Sequence, residues 1–226
     1  MAAAGYKNIE SAYTKQGGFY GRKPKEFKAL LKDMGMDWRS HHVMGNPIKL
    51  PPNYKLPNGP DGKPITIPVM KNLRDNSQEI IDQVAEAGIP YLVCASINIE
   101  SGEEIKKSAE VLHKAGEQAK KAGLQLAYHN HATEFDTTDG IVSYDYFTSQ
   151  ISADLLKLEL DLGWVFKAGR NPVEIFKKNP GRFPLLHVKD MTAAGEIVPF
   201  GEGVYDFKAT FQNVNTAGVQ YFFIEQ

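Results

Sequence analysis

Leu-Ala-Tyr-His-Asn-His (126–131), Leu-Glu-Leu-Asp-Leu-Gly-Trp (158–164) and Pro-Leu-Leu-His-Val-Lys-Asp (184–190) follow one another along the chain, each a short apolar run carrying an imidazole or a carboxylate at or near its end. A fourth run, Tyr-Phe-Phe-Ile-Glu-Gln (221–226), closes the sequence in the same way. Nearly continuous apolar runs of this length read as strands covered on both faces. Amphipathic helical stretches separate them, and strands joined by helices pair in parallel as βαβ units. Parallel strands bring their C-terminal ends to one side of a sheet, so His129, Asp161, His187 and Glu225 converge there. A mixed set of imidazole and carboxylate ligands suits divalent Mn, Zn, Co or Fe.

The same alternation extends back to the start. Strands are expected over 6–11, 38–43, 90–96, 124–130, 155–162, 184–189 and 220–225. Helices are expected over 24–34, 77–87, 103–122, 143–151, 172–178 and 206–216. Pro24 suits the first position of its helix, and Gly88 and Gly123 mark two stops. Residues 45–68 hold seven prolines and three glycines, which predicts a long loop at the mouth of the sheet. Seven strands fit one domain over 1–226, an α/β barrel of the (β/α)8 type lacking its first strand and last helix. The opening Ala-Ala-Ala-Gly reads as the tail of a helix, and the final strand has no helix after it.

Composition sets broad limits. Hydrophobic residues make up 42% and charged residues 23% of 226, ordinary for a globular domain. A net charge of −1 gives no reason to expect nucleic acid or an anionic membrane as partner. No stretch is long and apolar enough for a transmembrane helix, and the start lacks the pattern of a signal peptide, so a cytoplasmic location is the default. The single cysteine, Cys94, excludes an intrachain disulfide.

Five motifs in order, Ala-Ala-Gly-Tyr-Lys-Asn-Ile-Glu (3–10), Tyr-His-Asn-His-Ala-Thr-Glu-Phe (128–135), Glu-Leu-Asp-Leu-Gly-Trp (159–164), Pro-Gly-Arg-Phe-Pro-Leu-Leu-His-Val-Lys-Asp (180–190) and Ile-Glu-Gln (224–226), resemble the sugar phosphate isomerase/epimerase family. The resemblance implies the xylose isomerase-like TIM barrel. It also implies a divalent metal, held by Glu, Asp, His and Glu at the C-terminal mouth. The Asp matches Asp161, the His matches His187 and the last Glu matches Glu225. The first ligand departs from the family: where Glu-Asn-His is common, this chain has His129-Asn130-His131. A site with two histidines is expected, with the metal's identity open among Mn, Zn, Co and Fe, manganese included.

Other residues at the strand ends have expected roles and plainer alternatives. Glu225, as a ligand that doubles as acid/base, is the family-like proposal for catalysis, with Glu159 and His131 as local alternatives. His42, Glu134, Trp164 and Lys189 are expected to bind substrate. For these the alternatives are a half-exposed polar residue, a solvated loop carboxylate, aromatic packing beneath a loop and an exposed lysine, respectively. For Asp161 the alternative to metal binding is a buried ion pair with Lys or Arg. The Gly-Glu-Gly stretch 201–203 is expected to shape a turn at the mouth.

These readings predict a metal-dependent isomerase or epimerase acting on a keto-sugar or related polyol, by proton abstraction next to a carbonyl. A lyase or dehydratase acting on a keto-sugar or keto-inositol is the runner-up. A third reading is a non-catalytic barrel fragment, or a subunit of a homo-oligomer whose unpaired strand edges invite association.

Overall fold

All seven expected strands are present: β1 (Asn8–Ala12), β2 (Asp37–Met44), β3 (Tyr91–Ser96), β4 (Gln125–His129), β5 (Lys157–Asp161), β6 (Leu185–Val188) and β7 (Tyr221–Ile224). They form one parallel sheet whose order is the sequence order, with β1 and β7 at its two edges. The computed structural model describes residues 1–14, 18–47, 57–58, 62 and 70–225. Most of the loop expected over 45–68 therefore lies outside the described residues.

Strand alternation separates two cores. Leu92, Cys94, Leu126, Tyr128, Leu158, Leu160, Leu186 and Val188 face outward and pack under the helices. Tyr91, Val93, Ala127, Leu185 and Phe223 face inward and fill the barrel axis with a small apolar core. The next inward positions toward the strand ends are His42, His129, Glu159 and His187. The sequence thus sets a layer of ionisable groups directly on an apolar floor. His129 pairs in register with Glu159, and Asp161 with His187, which brings these layers level.

Helices α1 (Pro24–Asp33), α2 (Leu73–Ala87), α3 (Gly102–Lys121) and α4 (Ser143–Gln150) cover the outside, followed by α5 (Leu162–Lys167), α6 (Pro172–Lys178), α7 (Phe207–Phe211) and α8 (Val214–Ala217). In α3, Ile105, Ala109, Leu112, Gly116 and Ala119 line one buried stripe, Ser101 accepts from the Glu104 N–H, and Lys120 and Lys121 occupy the last turn.

The α-helices differ from the sequence-based expectation in three places. α2 begins at Leu73 rather than 77, because Asn72 caps it through the Asp75 N–H and a non-helical Asn76 joins two helical stretches. The helix expected over 206–216 divides into α7 and α8. The unforeseen α5 starts where β5 ends: the Asp161 carboxylate accepts from the Trp164 N–H at 2.9 Å and caps it.

Candidate metal centre

At the C-terminal ends of the strands, one carboxylate oxygen is ringed by imidazoles. Glu159 Oε2 lies 2.6 Å from His42 Nε2, 3.1 Å from His129 Nδ1 and 3.4 Å from His187 Nε2. Glu10, at the far edge of the sheet, adds Oε1 at 2.9 Å from His42 Nε2 and 2.5 Å from His187 Nε2. The Ser40 hydroxyl donates to the other Glu10 oxygen at 2.5 Å. Glu159 is fully buried, and its second oxygen, Oε1, has no hydrogen-bond partner among the described residues.

Nearer solvent stands a second group. His187 Nδ1 is 2.5 Å from Glu225 Oε2 and 3.9 Å from Asp161 Oδ2, while His129 Nε2 is 3.8 Å from Asp161 Oδ2. The Lys189 ammonium is buried between the two carboxylates, 2.9 Å from Asp161 and 3.1 Å from Glu225. Among the described residues, two sets of ligand atoms are close enough to share an ion: His42, His129, Glu159 and His187, and Asp161, His187 and Glu225. His187 belongs to both.

Charges in this dry layer govern one another. Burial opposes a proton on His42, yet Glu10 and Glu159 outweigh it and raise its pKa to about 10. His187 is raised well above its ordinary value for the same reason, burial again being overcome by Glu159 and Glu10. His129 goes the other way: burial, and then the positive neighbours His187 and His42, hold it neutral. Burial, with the negative charge of Glu10 added, lifts Glu159 to about 7. The bond from His187 is the main cause that pulls Glu225 down to about 2.

The arrangement fits a divalent cation. Imidazole nitrogens and carboxylate oxygens converge, the residues are preorganised by strands, and a buried oxygen has no donor. Over residues 1–226 the sequence matches the family described as xylose isomerase-like TIM barrel. The chain belongs to that family.

A sugar phosphate isomerase/epimerase from Parabacteroides distasonis superimposes on this barrel with a TM-score of 0.75 at 26% identity, over 99% of this chain and 77% of its own. The IolI protein, solved with a zinc atom, gives 0.69 at 17% identity over 99% and 80%, a likeness of fold. Among curated relatives, the inosose dehydratase of Clostridium beijerinckii is 33% identical over 102 residues, which are 45% of this chain and 33% of that protein. The inosose dehydratase of Clostridium botulinum strain Alaska E43 is 31% identical over 129 residues, 49% and 42% of the two chains. The chain spans less than half the length of these relatives.

The barrel places the remaining residues of interest as follows. His131 is partly exposed, with its ring 5.6 Å from that of Trp164 and Nδ1 3.7 Å from Glu134 Oε1. Glu134 is buried in the wall, accepting from Tyr128 Oη at 2.9 Å and the His131 N–H at 2.9 Å. Trp164 is half-buried, with the Lys167 and Lys189 ammonium groups 5.1 and 5.2 Å from its ring centre. Lys189 is no exposed loop residue, and Asp161 has the buried ion pair that was its alternative role.

Glu10 and Asp190 escaped the sequence reading. Glu10 stands beside a bulge in the neighbouring strand: Ile9 pairs with Trp38 and Glu10 with Ser40, so Arg39 of β2 is the extra residue. Asp190 gathers the Gly201 and Gly203 amides at 2.8 and 3.0 Å, so the Gly-Glu-Gly turn is anchored to the end of β6. Gly201 takes a φ of 93°, and a Cβ on Gly203 would overlap that carboxylate.

Among the described residues, no helix is long and apolar enough to cross a membrane.

Proposed function

We propose that this chain is a metal-dependent enzyme that removes a proton beside the carbonyl of a keto-sugar or related polyol, as an isomerase or epimerase. The observation that carries the reading is the convergence of His129, Asp161, His187 and Glu225 at one barrel mouth, with Lys189 among them. A divalent ion held by these four residues would polarise a carbonyl and stabilise the enediolate formed next to it.

The chain's own groups divide the remaining work. Glu225 has a side chain about half exposed, so it can reach a substrate carbon, whereas Glu159 is sealed beneath the histidines. Glu159 has the acidity nearer neutral, but reach precedes acidity in choosing a base, and Glu225 is the proton acceptor we favour. Lys189 can give its ammonium to a substrate oxygen. Doing so would release Glu225 from one of the contacts that hold its carboxyl down, and strengthen it as a base. His131 and Trp164 form the open side of the mouth, where a polyol can be hydrogen-bonded and covered by the indole ring. His42 is held by Glu10 and Glu159 and shapes the pocket from below.

A dehydratase acting on a keto-inositol is the second reading, favoured by the names of the curated relatives. It needs the same proton abstraction, followed by loss of a β-hydroxyl. Its proton donor would come from Lys189 or His131.

Metal-loaded protein incubated in deuterium oxide with a panel of keto-sugars and keto-inositols tests both. Deuterium should enter at the α-carbon, and Glu225→Gln should abolish that exchange while retaining much of the ion, since an amide oxygen still ligates but accepts no proton. Product mass then separates epimerisation from loss of water. No exchange with any compound in the panel would sink the proposal.

A further inference from the structure

We infer that the cluster contains a second cation-binding position, deeper in the barrel, formed by His42, His129, Glu159 and His187. The inference rests on the reading that this mouth binds a divalent ion, and it concerns where the ion resides. Two histidines partition the site. His129 turns Nδ1 toward Glu159 and Nε2 toward Asp161; His187 turns Nε2 toward Glu159 and Nδ1 toward Asp161 and Glu225. Each ring therefore has one nitrogen in an inner half and one in an outer half.

The outer half already has its cation. Lys189 lies within 2.9 and 3.1 Å of Asp161 and Glu225, and the other Asp161 oxygen caps α5. A metal there must displace an ammonium that is itself almost fully buried. In the inner half the groups that face the carboxylates are imidazoles, and an imidazole nitrogen exchanges its proton for a metal ion without leaving the site. Three imidazole nitrogens stand within 3.4 Å of one Glu159 oxygen, and the other oxygen is buried with no donor among the described residues. A buried carboxylate oxygen left unpaired keeps the full cost of losing its water. Bound to a cation, the same carboxylate is satisfied. The floor beneath is apolar, formed by Val93, Ala127, Leu185 and Phe223, so screening from that side is weak. Glu10, 2.9 Å from His42 and 2.5 Å from His187, supplies a second carboxylate beside the position. Three imidazoles with one or two carboxylates suit Zn, Co, Fe or Mn.

A neutral imidazole has one lone pair, so each shared histidine serves one half at a time. With an ion in the inner position, the outer N–H of His187 donates to Glu225, and that of His129 faces Asp161 at 3.8 Å. Carboxylates placed in this way orient metal-bound histidines. The inner and outer positions are thus alternatives for a single ion, distinguished by the number of imidazoles: three inside, two outside.

The test uses the full chain, stripped by chelator and titrated with Zn2+ and Co2+, with stoichiometry by elemental analysis and histidine count by X-ray absorption. The double variant Asp161→Asn/Glu225→Gln should still bind one ion with three imidazoles. His42→Gln, close in shape to the native residue, should weaken binding by more than the roughly 10- to 100-fold expected for loss of a merely orienting group. Far-ultraviolet circular dichroism verifies that each variant is folded. Loss of all metal by the folded double variant overturns the inner position, as does a count of two imidazoles in the native chain or undiminished affinity in His42→Gln. Each of these results leaves the proposed chemistry intact, with the ion at Asp161 and Glu225. Conversely, absence of α-carbon exchange in a protein that binds its ion through three imidazoles ends the isomerase reading and leaves the inner position standing. A native chain that binds neither ion overturns both.

Discussion

His41 and His42 are neighbours in sequence and opposites in chemistry. Alternation along β2 turns His42 into the charged layer, where carboxylates hold its proton up to about pH 10, and turns His41 outward under α1. There it packs against Phe19 at 4.7 Å and lies 2.7 Å from Ser11 Oγ, and burial, reinforced by the charge on His42, depresses its pKa to about 3. Below about pH 6.5 the unfolded chain takes up a proton at His41 that the folded chain refuses until about pH 3, so stability falls as the pH drops through that window. At 1.36 kcal/mol per unit the loss attributable to this residue over the whole window is on the order of 5 kcal/mol. In urea unfolding of the metal-free protein at pH 7 and pH 4, His41→Gln should lose less stability on acidification than the native chain. An equal loss would show that other groups govern acid unfolding. The period of two made His42, His129, Asp161 and His187 legible as one inward-facing set. It gave no account of which carboxylate each imidazole would choose, because that depends on distances between strands far apart in sequence. Glu10 is the clearest case: it lies 177 residues from its partner His187.

Elements were legible where a long periodic pattern met a clear cap, as in α3, and illegible where one side chain did two jobs. Asp161 ends a strand and begins α5, so the run Leu-Glu-Leu-Asp-Leu reads as strand to its last residue although the chain has already turned. The paired segments at 137–142 and 190–198 contribute two residues to each strand, too few to show any period. Arg182 is a comparable case. Within Pro-Gly-Arg-Phe it looks like a loop cation, yet it is buried and donates to three carbonyls, those of Leu156 at 3.1 Å, Thr148 at 2.5 Å and Ile151 at 2.6 Å. It thereby satisfies the C-terminal end of α4 and ties it to the approach to β6. Arg182→Met should lower the unfolding free energy by about 3 kcal/mol, since hydrogen bonds from a charged donor are worth roughly 1.5–3 kcal/mol each and part of the loss is recovered by packing. Arg182→Lys, with one point donor in place of a fork, should recover less than half. A loss below about 1 kcal/mol in denaturant titration would mean that water replaces the guanidinium at little cost.

At the scale of the whole molecule, the sheet's two edges face each other without pairing. Between β1 and β7 lies a cleft of about 680 Å³, lined by Asn8, Glu10, Tyr221, Phe223 and Glu225 among others. Side chains span it instead of backbone. At the mouth, Glu10 on β1 reaches His187 on β6; at the opposite end, the Arg39 guanidinium lies over the Tyr221 ring at 4.8 Å while its Nε donates to Asn8 at 2.8 Å. Among the described strands β1 is hydrogen-bonded only to β2, so its place depends on these ties more than that of any strand with two neighbours. Removing one partner of a buried charge cluster typically costs about 3–5 kcal/mol, because the remaining charges are left uncompensated. Glu10→Ala should therefore destabilise the metal-free protein by that order, and the effect should be local. Amide hydrogen exchange should quicken along β1 and at the β2 positions paired to it, while β3, β4 and β5, each paired on both sides, keep their protection. Glu10→Gln retains a hydrogen-bonding side chain but no charge, and should fall between the two. Uniform acceleration across all seven strands would mean that Glu10 acts on the barrel as a whole. Unchanged exchange in β1 would mean that backbone pairing to β2 alone holds the first strand, and that the contact with His187 serves the site and not the fold.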